Sequence, residues 1–232
     1  MRRCGLSKEH RINLAGVDFI PDLSGALFVP DLQTLLVADL HLEKASNMAR
    51  RGVHLPPYDT RASLTQLQTV IKATQPQQLI FLGDSFHDNE ARERIDEADL
   101  ATLRDMTERV QTVWITGNHD SLPPTDIGGR IVEEVVLGSI TLRHEPKDLE
   151  DGEFEIAGHL HPGGGVSQRG RYIRCKCFIG NASRLIMPAF GSFTGGLSVS
   201  AEAFSRAFAK RDYHVWMLGD RAIYKFPAAR VS

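Results

Sequence analysis

The sequence predicts an α/β protein in which two mixed β-sheets pack face to face between helices, as a four-layer α-β-β-α sandwich. Three observations predict this fold. The first half alternates short apolar runs with segments of helical periodicity. The second half changes to short strand-like runs joined by tight turns. The length of 232 residues fits one large domain, residues 1–232, better than two.

The first half has continuous apolar runs, which are typical of strands buried on both faces. Between them, apolar residues such as Leu64, Leu67 and Ile71 recur at helical spacing. A strand-helix-strand-helix-strand order predicts parallel strands joined by right-handed crossovers. Strands are predicted at residues 26–29, 34–38, 78–82 and 112–116, and helices at 61–74 and 90–109.

The second half predicts a more antiparallel sheet, because turn signals such as Leu137-Gly138 separate its short strands. The last two strands read as a hairpin around Gly219-Asp220. Strands are predicted at residues 131–136, 139–143, 154–158, 172–179, 184–187, 213–218 and 222–226, and a helix at 201–208.

Composition excludes several classes of protein. The net charge of −2 argues against a generally basic, nucleic-acid-coating protein. No apolar run approaches the roughly 18 to 20 residues that span a bilayer, and no apolar stretch follows Met1-Arg2-Arg3-Cys4. We therefore expect no signal peptide and a cytoplasmic location. Three cysteines, Cys4, Cys175 and Cys177, form no closed disulfide set and are expected to stay reduced.

Charge is nevertheless unevenly distributed. No acidic residue lies between Glu155 and Glu202. Two interpretations stay open: an ordinary solvated face, or a positive surface that steers a phosphate polymer. The stretch holds five basic residues, Arg169, Arg171, Arg174, Lys176 and Arg184.

Side chains suited to binding metal follow the predicted strands. Ligands collect beyond the carboxyl ends of strands in open α/β sheets. Oxygen and nitrogen donors in this number indicate two divalent ions, and two ions that share a carboxylate most often serve phosphoester chemistry. The five runs are Asp39-Leu40-His41, Gly83-Asp84, Gly117-Asn118-His119-Asp120, His144 and Gly158-His159-Leu160-His161.

The spacing of the donors suggests how they are used. In extended backbone, Asp39 and His41 point the same way and can bind one ion, with Leu40 directed into the core. Asp84 has no donor two residues later, which suits a carboxylate shared between two ions. The absence of cysteine favours Mn²⁺, Fe or Zn²⁺ over a thiolate site. His144 is the least sharply identified ligand, and His54 and His87 are its rivals.

The order D-x-H, G-D, G-N-H-D, H, G-H-x-H resembles the signature of the calcineurin-like metallophosphoesterase superfamily, whose fold is the sandwich predicted above. The resemblance implies that Asp84 bridges two ions. Asp39, His41 and His161 would complete the first ion's ligands, and Asn118, His144 and His159 the second's.

His119 holds no metal in this pattern. The resemblance implies that it faces the phosphate, stabilises charge and protonates the leaving oxygen, while a metal-bridging hydroxide attacks phosphorus in line. Asp120 is expected to orient the His119 imidazole, as carboxylates often do.

The flanking residues resemble one subfamily, the ligase-associated DNA damage response endonucleases. The resemblance extends from about residue 12 to 226 and rests on residues 39–44, 49–60, 82–88, 157–162 and 185–196. It implies an Mn²⁺-dependent phosphodiesterase acting on DNA, functionally associated with a DNA ligase, a helicase and an exonuclease-like protein. Composition and spacing alone support a two-metal phosphoester hydrolase.

Substrate contacts are less sharply indicated. Arg50 and Arg51, beside Gly52 on a predicted loop after His41, could bind substrate or form surface salt bridges. Residues 191–196 could offer backbone N–H groups to a phosphate, but a tight turn is favoured. Two other functions were weighed: a small-molecule or nucleotide phosphoesterase, and a non-catalytic scaffold. The scaffold is disfavoured because every expected ligand position and His119 are filled.

Overall fold

The computed structural model describes residues 10–168, 170–208 and 212–232. The first sheet is antiparallel from β1 to β4 and parallel from β4 to β7, with its strands adjacent in chain order. These strands are β1 (Ile12–Leu14), β2 (Val17–Pro21), β3 (Leu27–Val29), β4 (Thr34–Val37), β5 (Gln78–Leu82), β6 (Gln111–Ile115) and β7 (Arg130–Val132).

The second sheet is also mixed. Its strands are β8 (Glu134–Leu137), β9 (Ile140–Arg143), β10 (Phe154–Ala157), β11 (Pro162–Gln168), β12 (Arg171–Gly180), β13 (Arg184–Ile186), β14 (Leu197–Ser198), β15 (His214–Leu218) and β16 (Ile223–Pro227). Their spatial order is β14-β11-β12-β13-β10-β9-β8, with β15 paired to β12 and β16 to β15. The β9, β10 and β13 strands run parallel to one another.

Helices cover both outer faces, so the predicted four-layer sandwich is confirmed. Helices α2 and α4 pack on the first sheet through residues such as Leu67 and Leu103, against a stacked pair, Phe81 and Trp114, whose ring centroids lie 4.1 Å apart. Phe204 of α5 packs on the second sheet. The helices are α1 (Lys44–Arg50), α2 (Asp59–Thr74), α3 (Ala91–Arg94), α4 (Glu97–Arg109) and α5 (Glu202–Ala207).

The central apolar layer lies between the two sheets. It includes Leu36 and Ile80 from the first sheet and Leu142, Ile156 and Phe178 from the second, all fully buried. Burying each such side chain stabilises the fold by about 1.5–3 kcal/mol. This layer fixes the two sheets against each other and brings their strand ends to a common edge.

The helix predicted at residues 90–109 is wrong in one respect, because the structure divides it. Ile95 and Asp96 have extended backbone, and Asp96 caps α4 by accepting a hydrogen bond from the Ala98 N–H at 2.9 Å. An aspartate at this position satisfies an N–H that the first helical turn leaves unpaired.

The single strand predicted at residues 131–136 is also wrong. Its first residues belong to β7 in the first sheet and its last to β8 in the second, with Glu133 between them. The sequence has no turn signal here, because the backbone stays extended where the chain passes from the first sheet to the second.

Two further predictions concern membrane-spanning helices and the state of the cysteines. None of the helices in residues 10–168, 170–208 and 212–232 is long and apolar enough to cross a membrane. Cys177 is a buried free thiol, in agreement with the expectation of reduced cysteines, and Cys4 lies outside the described residues.

Candidate metal centre

The predicted donors converge at one edge of the sandwich. Asp39, Asp84 and Asn118 follow β4, β5 and β6, which are parallel and end at the same side. His144 and His159 follow β9 and β10, which are parallel in the second sheet. The carboxyl ends of both sheets therefore face each other across the site.

One group of donors consists of Asp39, His41 and His161. The His161 Nε2 lies 3.0 Å from the Asp39 Oδ1 and 3.2 Å from the His41 Nε2. One donor atom from each residue lies within 4.8 Å of the others. Two ring nitrogens and a carboxylate oxygen directed at one point are suited to a divalent cation.

A second group consists of Asp84, Asn118, His144 and His159. The Asn118 Oδ1 lies 2.9 Å from both the His144 Nε2 and the His159 Nδ1. The two ring nitrogens are 3.2 Å apart. His159 and His161 therefore separate, one to each group, although only Leu160 lies between them.

Asp84 lies between the two groups. Its Oδ2 is 3.8 Å from the His41 Nε2, and its Oδ1 is 3.4 Å from the His144 Nε2. The backbone N–H of His119 donates to the same Oδ1 at 2.9 Å. Each carboxylate oxygen thus faces a different group, which is the arrangement that a bridging ligand requires.

The backbone at these donors is left-handed, so the extended backbone expected for Asp39 and His41 is wrong. Their φ angles are 54° and 47°, and those of Asp84, His159 and His161 are 47°, 66° and 44°. Left-handed non-glycine residues cost about 1–3 kcal/mol each and cluster at functional sites. The buried Leu40 does reach the core, as predicted.

Three motif glycines are required for space. A Cβ atom on Gly83 would lie 2.4 Å from the His144 ring. On Gly117 it would lie 2.2 Å from an Asp84 oxygen, and on Gly158 2.5 Å from an Asp39 oxygen. Any side chain at these positions would displace a donor, because real Cβ atoms do not approach this closely.

The electrostatics of the site favour a cation. Burial, together with the nearby His161, lowers the pKa of His41 to about 2, so this imidazole is neutral, as a ligand must be. Burial opposes ionisation of Asp84, but its contacts with His144 prevail and lower its pKa to about 2. Burial likewise opposes charge on His144, yet Asp84 and Asp39 raise its pKa to about 9. The carboxylate groups around His144 thus favour positive charge, and a metal ion held there would replace its proton.

His119 joins neither of these two groups, although one of its ring nitrogens lies within 4.8 Å of ring nitrogens of His41 and His87. Its Nδ1–H donates to the His87 carbonyl oxygen at 3.0 Å, which leaves Nε2 for another partner. The ring stacks on His87, with centroids 5.0 Å apart, and lies 5.2 Å from the His41 ring. The side chain is exposed, so a substrate can reach it.

Asp120 does not orient the His119 imidazole, so that expectation is wrong. Its carboxylate accepts hydrogen bonds from the backbone N–H groups of Asp84 at 3.0 Å, Ser85 at 2.8 Å, Phe86 at 3.1 Å and Gly117 at 3.0 Å. Burial raises its pKa to about 7, against these donors. Asp120 therefore holds the backbone that carries Asp84.

His87 is a site residue that the sequence identified only as a rival ligand. Its Nδ1 lies 3.3 Å from the His41 Nδ1, on the ring edge opposite His161. The available signal was its position three residues after Asp84. The other rival, His54, is exposed and belongs to none of the donor groups in the described residues.

The two candidate substrate arginines differ. Both border a groove of about 490 Å³ next to His87, but the Arg50 guanidinium is paired with Glu90. Arg51 is the exposed C-cap of α1. Burial, with Lys44 and Arg51 among the nearby charges, lowers the pKa of His87 to about 4. Lys44 and Arg51 thus place positive charge near His87, which stacks on His119.

Only some of the basic residues between Glu155 and Glu202 are exposed and can form a positive surface. Arg184 is buried, and its Nε lies 2.5 Å from a Glu155 oxygen. Lys176 is half-buried and donates to loop carbonyls near the site. Arg171 and Arg174 are exposed, and Arg169 lies outside the described residues.

A two-sheet sandwich with oxygen and nitrogen donors gathered at its strand ends defines a metal-dependent hydrolase of phosphoesters. Residues 32–176 match the family model described as calcineurin-like phosphoesterase. The chain belongs to the calcineurin-like phosphoesterase family, and the predicted superfamily is confirmed. Its fold implies divalent metal ions, which the donor groups fit.

One solved structure agrees with this fold over nearly the whole chain. The Pseudomonas putida nuclease MPE superposes with a TM-score of 0.73 and 29% sequence identity, over 94% of this chain and 99% of that chain. Yfce, a phosphoesterase from E. coli, gives a TM-score of 0.42 and 14% identity, over 84% and 98%. The second likeness is too distant to support an argument. Comparison with functionally curated proteins gave no significant match.

Proposed function

We propose that this enzyme is a two-metal phosphodiesterase that cleaves DNA, in the context of DNA repair. The observation that carries the proposal is the pair of donor groups that share Asp84. Its two oxygens face His41 at 3.8 Å and His144 at 3.4 Å. Asp39 and His161 complete the first set of ligands, and Asn118 and His159 the second.

Divalent ions held here would polarise the phosphoryl oxygens and lower the pKa of bound water. The chain itself supplies His119, whose position is fixed by the hydrogen bond from Nδ1 to His87. This bond leaves Nε2 available, and a proton on this atom can pass to the leaving oxygen. We infer that His119 is the general acid and that Asp120 supports the metal ligand Asp84 instead.

A DNA substrate is supported by the exposure of Asn118 and His119 at the site and by the likeness to a nuclease. Exposed Arg51 lies on one side of the site. On the other side, the Arg174 guanidinium donates to the Gly196 carbonyl at 2.7 Å, next to the His161 backbone. Positive charge on both sides suits a strand that crosses the metals.

The chemistry of the donors leads us to propose Mn²⁺ as the native ion, with Fe or Zn²⁺ as the alternatives. No cysteine belongs to either donor group, and carboxylate, amide and imidazole ligands suit these ions. We further propose a cytoplasmic enzyme that works with a DNA ligase, a helicase and an exonuclease-like protein, which rests on the subfamily resemblance.

The proposal is tested by measuring Mn²⁺-dependent turnover of single-stranded DNA, an aryl phosphodiester and an aryl phosphomonoester. We expect cleavage of the DNA and the diester. His119→Ala should keep both ions and lose roughly 10²- to 10⁴-fold in activity, the usual contribution of a general acid.

Metal content measured on the same variant provides the control. A fall in bound metal parallel to the fall in activity would contradict the division of roles between His119 and the donor groups. Turnover of the monoester alone would overturn the DNA proposal in favour of a small-molecule phosphoesterase.

A further inference from the structure

The rim loop, residues 191–196, borders the first donor group. The Gly191 N–H donates to the Asp39 carbonyl at 3.1 Å. At the other end, a Cβ atom on Gly196 would lie 2.5 Å from the His161 carbonyl oxygen. Both ends of the rim loop therefore rest on the backbone of residues that form the metal centre.

The backbone of the rim loop is held from inside the protein. The half-buried Lys176 donates from its Nζ to the Gly191 carbonyl at 2.7 Å and to the Thr194 Oγ1 at 3.0 Å. The Ser192 N–H donates to the Ser63 Oγ at 3.1 Å, which ties the loop to α2. These bonds fix the loop without any ligand.

Phe193 stands out in this fixed loop because 38% of its surface is exposed. The loop is otherwise made of glycine, serine and threonine, so Phe193 is its one large apolar group. The Arg174 guanidinium lies against the same loop, bonded to the Gly196 carbonyl. An exposed aromatic group in a loop that a cation also contacts provides the two elements with which proteins bind single-stranded nucleic acid.

We propose that Phe193 is a stacking platform for a nucleobase next to the scissile phosphodiester. A preorganised ring loses little conformational freedom when a base stacks on it. Only an unpaired base exposes a face to the ring, so the platform favours single strands over duplexes. This inference rests on the proposed DNA function and adds to it the part of the nucleotide that is recognised.

The test compares an oligonucleotide with the same strand carrying one abasic residue at successive positions around the cleavage point. For the wild-type enzyme, one abasic position should lower kcat/KM about tenfold, as expected for the loss of one stacked base. Phe193→Ala should lower kcat/KM on the intact strand by a similar factor. On the abasic strand it should have little further effect, and Phe193→Trp should restore activity on the intact strand.

Tyr224→Ala is the matched control, because Tyr224 is an exposed aromatic of β16, a strand that contributes no donor. Equal losses for Phe193→Ala on intact and abasic strands would overturn the platform while leaving the DNA proposal standing. If the wild type cleaved the aryl diester but no DNA, both proposals would fall.

Discussion

The two donor groups are built from similar side chains but differ in their exposure to solvent. Asp39 and His41 of the first group are 0% and 4% exposed. In the second group Asn118 lies on the surface, and the His159 side chain is 29% exposed. Charges attract more strongly where water is excluded. We therefore expect the first group to hold its ion more tightly and the second to exchange its ion more readily.

The largest effect is expected at Asp84, which the two groups share. Asp84→Asn removes the negative charge while keeping the shape of the side chain, so binding of both ions should weaken together. The loss of several kcal/mol of charge stabilisation corresponds to roughly a thousandfold fall in kcat. Titration of Mn²⁺ with activity measured in parallel checks this. Near-normal activity, or weakening of only one ion, would contradict the bridging role.

A large effect on folding is expected at Asp120. Asp120→Ala leaves four backbone N–H groups without their acceptor, which should lower the free energy of unfolding by about 3 kcal/mol. Asp120→Asn should lie between it and the wild type, because its amide oxygen can still accept two bonds. Urea denaturation measures both. Unchanged stability with lost catalysis would restore the catalytic role first expected for Asp120.

The comparison between the groups is sharpened most by His161→Ala and His159→Ala. Each removes one imidazole, from the first and second group respectively, so the pair is matched. Each variant should lose one bound ion. Because the first group is more buried, His161→Ala should lower the affinity for its ion by the larger factor, about tenfold more. Calorimetric titration with Mn²⁺ provides both values, and equal losses would show that burial does not separate the groups.

The smallest effect is expected at the arginines. Arg51→Ala should raise KM for single-stranded DNA two- to fivefold and reduce the salt dependence of binding by about one counterion. Arg50→Ala is the matched control, since its guanidinium is already paired with Glu90. A larger effect of Arg50→Ala would show that the pair opens when DNA binds.

Much of the site was predictable because each short run of donors directly follows a strand. Each donor follows an apolar strand, and parallel strands place such residues at one edge. The left-handed backbone of Asp39 and His41 was not predictable, because the contacts around it come from residues distant in the chain. The Asp39 and His41 N–H groups donate to the Gly83 and Asp84 carbonyls at 3.2 Å and 2.9 Å. The Asp39 carboxylate, for instance, accepts a hydrogen bond from the His159 N–H at 3.0 Å. The role of Asp120 was missed because it rests on hydrogen bonds to residues 84–86, which are distant in the chain.

The fold was predictable where the apolar periodicity is strong. It was not predictable where pairing between strands determines the structure. Strands β1, β2, β11 and β14 were not predicted. In β11 the run Pro162-Gly-Gly-Gly has low strand propensity. It becomes a strand because it pairs with β12 over residues 163–168, and neighbouring side chains occupy the space that a larger residue would need. A Cβ atom on Gly165 would lie 2.0 Å from the Tyr172 hydroxyl, and one on Gly164 2.7 Å from Val231.

Each donor group takes residues from both sheets. His41 comes from the first sheet and His161 from the second, 120 positions later in the chain, and Asn118 and His144 repeat the arrangement. Neither group can therefore form until the sheets have docked. Bound ions would hold the two sheets together. At a free-ion concentration 100 times the dissociation constant, binding of one ion would add about 2.7 kcal/mol to the free energy of unfolding. Metal occupancy is thus a measure of complete folding, and a nascent chain that lacks its second sheet has no functional metal centre.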